Sequence, residues 1–321
     1  MSSDRRSFLK TGLGGLAGLT AVPLLGGLAG CAPNPSRPST GTSSVRASVL
    51  PITKVSERIS VITGAPGNVV VLAEGSNVVL VDSGSTALAG SVQKTLAGAR
   101  ARMLYNTHYH ADQTGGNALF GSTGTEIHAH TITKQWLAAD YYVPAEDRWV
   151  KAPPKEAVPT VTFRGKGELK AGIETIQHGY LLEAHTRGDA YVFFRDSNVL
   201  AVGDVVSPQR DPALDWYAGG WLSGRADAMD DLLKLSNADT RIVPAYGPVM
   251  SRAELQAERD IMAKLYDLCA AATHKGRSAQ DMLDDHLLDK VSRKFQDPYK
   301  FLYDVAKGLQ AHYTNFGGNV V

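Results

Sequence analysis

Residues 106–116 read NTHYHADQTGG, a run that sets His108, His110 and Asp112, three side chains with metal-binding chemistry, at alternate positions. The apolar stretch before it predicts a strand over 102–106 that ends directly at the histidines. Alternate side chains of an extended segment share a face, so two imidazoles spaced by one residue can converge on one ion. Thr114-Gly115-Gly116 follows with the tight backbone that a ligand loop needs. His128 and His130 have the same spacing, yet they lie inside a predicted strand over 126–130 with no acidic residue after them, and they read as structural. Two later stretches repeat the theme of the first pair. Ala184-His185-Thr186-Arg187-Gly188-Asp189 precedes a strand, and Ala201-Val202-Gly203-Asp204 closes another.

Outward from these loops, short β-branched runs predict strands over 59–63, 68–73, 77–82, 160–163, 174–177, 190–194, 199–202 and 241–244. Apolar spacing and polar caps predict helices over about 86–99, 224–237, 251–273, 278–288 and 299–313. Strands followed by helices in both halves make a layered α/β domain. Residues 141–159 are aromatic, Pro-rich and irregular, as expected of a loop or flap over a site. The aromatic residues Tyr141, Tyr142, Trp149, Trp216 and Trp221 are candidates to line an apolar cleft, or else to fill the core.

The composition is that of a globular protein, with 43% hydrophobic and 20% charged residues in 321. A net charge of +1 without a long basic run leaves no electrostatic footprint for nucleic acid, and the small-molecule substrate expected as partner is what the motifs below imply. Cys31 and Cys269 are the only cysteines, which excludes a disulfide framework and a cysteine-based zinc module. Any metal must be held by His, Asp, Glu, Tyr or amide groups. At the N-terminus, Arg5-Arg6 and the Gly- and Leu-rich stretch to Gly30 resemble a twin-arginine export signal over 1–30. Leu28-Ala29-Gly30-Cys31 resembles a lipobox, which implies a periplasmic or membrane-anchored lipoprotein that touches the membrane only through a lipid on Cys31. Residues 31–50 read as a Pro/Ser/Thr-rich tether.

HYHADQTGGN, AHTRGD, AVGDVV and VPAYGPV stand in the order of the motifs of the metallo-β-lactamase-fold hydrolases, and VVLVDSG is similar to that superfamily's strand-end aspartate, here Asp82. The resemblance covers about 51–250. It implies a four-layer αββα sandwich, with 251–321 as a C-terminal helical extension packed on it. The loop 211–220, DPALDWYAGG, looks like that of glyoxalase II-type members. The family pattern implies a first metal site from His108, His110 and His185. It implies a second from Asp112, position 113 and a late histidine, with Asp204 bridging. This chain departs from the pattern twice: Gln113 replaces one second-site histidine and Tyr246 stands where VPAYGPV would carry the other.

Three imidazoles complete a catalytic zinc site, whereas an amide oxygen is a poor zinc ligand and a phenol with an ordinary pKa of about 10 coordinates well only as phenolate. One firmly bound Zn2+ is therefore expected, with a weakened second site in which Gln113 is at best a weak ligand. Iron is the alternative ion, because it favours phenolate. Asp112 is then expected to act on the metal-bound water and Tyr246 to donate to a developing oxyanion. The implied activity is attack of metal-bound hydroxide on an ester, thioester, lactone or amide. A retired enzyme that only binds, and a true β-lactamase, are the competing readings.

Overall fold

In the computed structural model, which describes residues 47–317, the strand Val69–Glu74 shows how the layers arise. Val70 and Leu72 point to one face of their sheet, Val69 and Val71 to the other, and all four are buried. A strand buried on both faces must be covered on both. The first sheet has seven strands, ordered from edge to edge as Ile52–Lys54, Ile59–Ile62, Val69–Glu74, Asn77–Val81, Arg100–Tyr105, Glu126–His130 and Val161–Phe163. The pairs are antiparallel as far as Asn77–Val81 and parallel beyond it. The second sheet orders Gly167–Ala171, Glu174–Tyr180, Ala190–Phe194, Val199–Gly203 and Arg241–Pro244, with only the last pair parallel.

One apolar cluster joins the two sheets: Val70, Leu72, Val79 and Tyr105 from the first meet Ile176, Val192, Phe194 and Ala201 from the second. The outer face of the first sheet packs on Val92 and Leu96, at the helix Ala89–Thr95 and its C-cap. On the outer face of the second, Tyr191, Leu200 and Ile242 pack under the helices Leu222–Leu235, Arg252–His274, Ala279–Asp284 and Pro298–Gly317. This is the expected helix–sheet–sheet–helix sandwich, and the C-terminal helices form part of the outer layer of the second sheet. Ser251 and Ser278 start two of those helices with reciprocal capping boxes to Glu254 and Asp281.

Some elements differ from the sequence expectation. The segment 141–159 holds a hairpin, Tyr141–Val143 with Arg148–Val150, where an irregular loop was expected. The strands Ile52–Lys54 and Gly167–Ala171 are extra, the former an exposed edge and the latter rich in charge, so neither shows an apolar pattern. The helix Thr131–Leu137 opens on the β-branched run Thr131-Ile132-Thr133, which hides its helical character. The export signal over 1–30, Cys31 and most of the tether fall outside the described residues. Among the described residues no helix is long and apolar enough to cross a membrane.

His128 and His178 lie between the sheets and contact the Tyr105 ring, with Phe163 4.2 Å from the His178 ring. Burial, and then the nearby His128, push the His178 pKa down to about 4. The unfolded chain takes up this proton at an ordinary pKa of about 6.5. Stability from this group is therefore full above that value and is lost as pH falls toward 4. The melting temperature of His178→Leu should fall less between pH 7 and 4.5 than that of the parent. Parallel pH profiles would show that another group carries the acid sensitivity.

Candidate metal centre

The parallel strands Asn77–Val81 and Arg100–Tyr105 end side by side, so the loops that follow them meet. Asp82, at φ 62°, turns its carboxylate onto Thr107, accepting from the backbone N–H at 2.9 Å and the hydroxyl at 2.8 Å. Gly203, at φ 59°, closes on the same residue, and a Cβ there would fall 2.8 Å from Thr107 Cβ. Thr107 is thus clamped from both sheets, and His108 follows it. His110 precedes the short helix Ala111–Thr114. The third loop is shaped by Asp189, whose carboxylate accepts from the backbone N–H groups of His185 and Thr186 at 2.6 and 2.7 Å.

These loops bring one ligand nitrogen each from His108, His110 and His185 within 4.8 Å of one another. Each ring has its other nitrogen engaged. Thr107 Oγ1, whose proton goes to Asp82, lies 3.0 Å from His108 Nδ1 and accepts from it. The Ala213 carbonyl lies 2.8 Å from His185 Nδ1, and Asp215 Oδ2 lies 3.0 Å from His110 Nε2. A carbonyl and a carboxylate can only accept, so those nitrogens carry the protons. Nε2 of His108, Nδ1 of His110 and Nε2 of His185 are left with lone pairs. His185 Nε2 and His110 Nδ1 stand 3.0 Å apart, close enough that a proton on His110 or a shared cation must lie between them.

The electrostatics agree for His108 and His185, and His110 is the exception. Burial, and next the charge of His110, hold His108 well below the usual imidazole pKa. His185 is likewise lowered by burial and then by its two neighbours. Burial also opposes charge on His110, but the Asp215 hydrogen bond and the carboxylates around it outweigh that and raise its pKa. Asp204, buried at the end of Val199–Gly203, is raised to about 6 by burial against the pull of Arg225 and Arg210. Its Oδ2 lies 3.7 Å from His185 Nε2, and its Oδ1 accepts the Ser207 hydroxyl.

Of the other expected site residues, Asp112 and Tyr246 are brought together, the Tyr246 hydroxyl donating to Asp112 Oδ2. Gln113 is fully buried, and neither amide atom has a hydrogen-bond partner. Its amide packs on Gly67, where a Cβ would come within 2.3 Å of Nε2. Of the aromatic candidates, Tyr141 and Trp216 join Trp136, Tyr217 and Arg187 around a cavity of about 750 Å³. Tyr109 stacks on Trp136 at 4.8 Å, so one residue separates this cavity from His110. Tyr142 and Trp149 instead pair with each other on the exposed hairpin, and Trp221 stacks on His312.

Three residues escaped the sequence reading. Asp215 lay within a recognised loop, but nothing in its spacing points to His110. Arg210 follows Asp204 in a loop without periodicity. Arg225 did leave a signal, since Leu222, Arg225, Met229 and Leu232 are spaced as one helix face, which puts a charge among core positions. It is fully buried and donates to the Ala213 carbonyl, the same acceptor His185 uses.

The family model of the metallo-β-lactamase superfamily matches residues 62–247, more than half of the chain. Similar solved structures include the metallo-β-lactamase DIM-1, at 19% identity and a TM-score of 0.54 over 67% of this chain and 97% of that one. A metallo-β-lactamase from Pontibacter korlensis is similar at 17% identity and 0.53, over 67% and 99%. The sec-alkylsulfatase Pisa1 from Pseudomonas sp. has 16% identity and a TM-score of 0.60, over 84% of this chain and 50% of that one. At these identities the likeness is one of fold. Comparison with curated protein sequences gave no match.

Proposed function

Since the chain belongs to the metallo-β-lactamase superfamily, we propose that it is a hydrolase working with one zinc ion held by His108, His110 and His185. The observation that carries this reading is the fixed tautomer set, which turns three lone pairs to one centre. When bound, the ion would supply Lewis acidity, polarising a carbonyl and bringing the pKa of a water toward about 7. Asp112, held through Oδ2 by Tyr246, keeps Oδ1 to accept the proton of the attacking water. Tyr246 has its hydroxyl proton committed to that carboxylate, so we assign it the holding of Asp112 rather than an oxyanion.

The substrates we propose are esters, thioesters, lactones or amides. The aromatic cavity beside Tyr109 supports an apolar or aromatic acyl part. The names of the similar structures, two β-lactamases and a sec-alkylsulfatase, support hydrolysis without choosing among substrates. Export by the twin-arginine route with a lipid on Cys31 belongs to the same proposal and rests on Arg5-Arg6 and Leu28-Ala29-Gly30-Cys31. The purified protein should hold about one zinc per chain, as a single three-nitrogen site demands. A panel of these substrates should show turnover that chelation abolishes and zinc restores. Zinc-loaded protein with no chelator-sensitive turnover would favour the binding-protein reading instead.

A further inference from the structure

Beside the three histidines lies a second group of oxygen donors, the carboxylates of Asp112 and Asp204 and the Tyr246 hydroxyl, and a cation is already there. Arg210 lays its guanidinium over the Tyr246 ring, 3.8 Å from the centroid, and brings Nη2 to 3.7 Å from Asp204 Oδ2. That same oxygen faces His185 Nε2 at 3.7 Å. One buried carboxylate oxygen therefore looks toward the imidazole centre on one side and toward a guanidinium on the other.

We propose that Arg210 is a built-in second cation, which neutralises the oxygen-donor side of the site and keeps a second divalent ion out. The proposal rests on the reading of one ion at the three histidines and adds the reason that it stays one. Gln113 and Tyr246 account for weak ligation on that side, but weak ligands alone leave two carboxylates whose charge attracts a metal. A guanidinium at this place offsets the Asp204 charge and occupies the space over Tyr246, because it is permanently charged and lies over an aromatic face.

The arginine is held there from outside the site. Arg293, beyond Arg252–His274, ion-pairs with Glu258 and donates to the backbone carbonyls of Ser207 and Arg210, at 2.8 and 2.6 Å. Asp211 accepts from the backbone N–H groups of Gln296 and Asp297, at 2.9 and 2.7 Å. The C-terminal helical region thus fixes the loop that carries Arg210.

The test is zinc stoichiometry after equilibration with excess zinc and removal of free ion, with folding checked by circular dichroism. The parent and Arg210→Lys, which keeps the charge, should each hold about one zinc per chain, the count set by the three histidines. Arg210→Gln and Arg210→Met, two neutral replacements on a partly exposed loop, should each rise toward two, as the guanidinium beside Asp204 Oδ2 is then gone. Adding Asp112→Asn to Arg210→Gln should return the count to one. A parent with two ions, or neutral variants that fold and still hold one, would overturn the role of Arg210 while leaving the three-histidine site standing. A parent with no zinc would overturn the functional reading and this proposal with it.

Discussion

His185→Ala should hold almost no zinc under conditions where the parent is saturated, and its hydrolytic turnover should fall with the ion. Three nitrogens are the whole strong ligand set, so deleting one leaves a site with two. The loss in ion affinity should exceed the ~10–100-fold that follows removal of an outer hydrogen-bond partner. The fold should persist: the loop around His185 is shaped by the Asp189 carboxylate through backbone N–H groups, and the Ala213 carbonyl keeps Arg225 as a donor. His130→Ala is the control that gives the result meaning. His130 is also buried and belongs to a pair of the same spacing, yet it caps the helix Thr131–Leu137 and stacks on Tyr180 at 4.1 Å. It should cost some stability and leave the zinc count unchanged. If His185→Ala holds zinc as tightly as the parent, the ion is not at this centre.

That contrast also shows what the sequence could and could not say. The two histidine pairs share a spacing, and only the company of Asp112, His185 and Asp204 in similar loops separated them. The structure keeps them apart in the same way, one pair joined by His185 and the other facing Tyr105 and Tyr180. The strands were legible wherever both faces are buried, as in Val69–Glu74 and Val199–Gly203, because burial writes a continuous apolar run. Edge and charged strands such as Ile52–Lys54 and Gly167–Ala171 leave no such run. What was hidden at the site is the set of partners of the ligands. Asp215 reaches His110, and Arg210 reaches Asp204 and Tyr246, only after two loops fold against each other. The environment of Gln113 was hidden too, since the glycine it packs on lies in a different loop.

Asp215→Ala should lower zinc affinity by roughly 10–100-fold, the range found when a partner that orients a metal-binding histidine is removed. Asp215 Oδ2 accepts from His110 Nε2 at 3.0 Å, and this hydrogen bond is what leaves the lone pair of His110 on Nδ1, toward His185. Without the carboxylate the imidazole is free to take its other tautomer or rotate, and the ligand is present but no longer aimed. The same oxygen accepts the Tyr109 hydroxyl, and Tyr109 is buried at 1% exposure, so the variant also removes a charged acceptor from a buried donor and leaves it only the Tyr217 hydroxyl. That should cost about 1–3 kcal/mol in stability, seen as a lower denaturation midpoint with zinc in excess. Asp215→Asn should lie between parent and Ala, because an amide oxygen can still accept from both groups but lacks the charge that makes His110 a better donor to metal. Tyr109→Phe separates the two effects. It removes the hydroxyl and leaves the Asp215–His110 bond in place, so zinc affinity, measured by competition with a chelator, should stay near the parent value. Equal affinity losses in Tyr109→Phe and Asp215→Ala would mean that packing around Tyr109, and not the hydrogen bond to His110, positions the ligand.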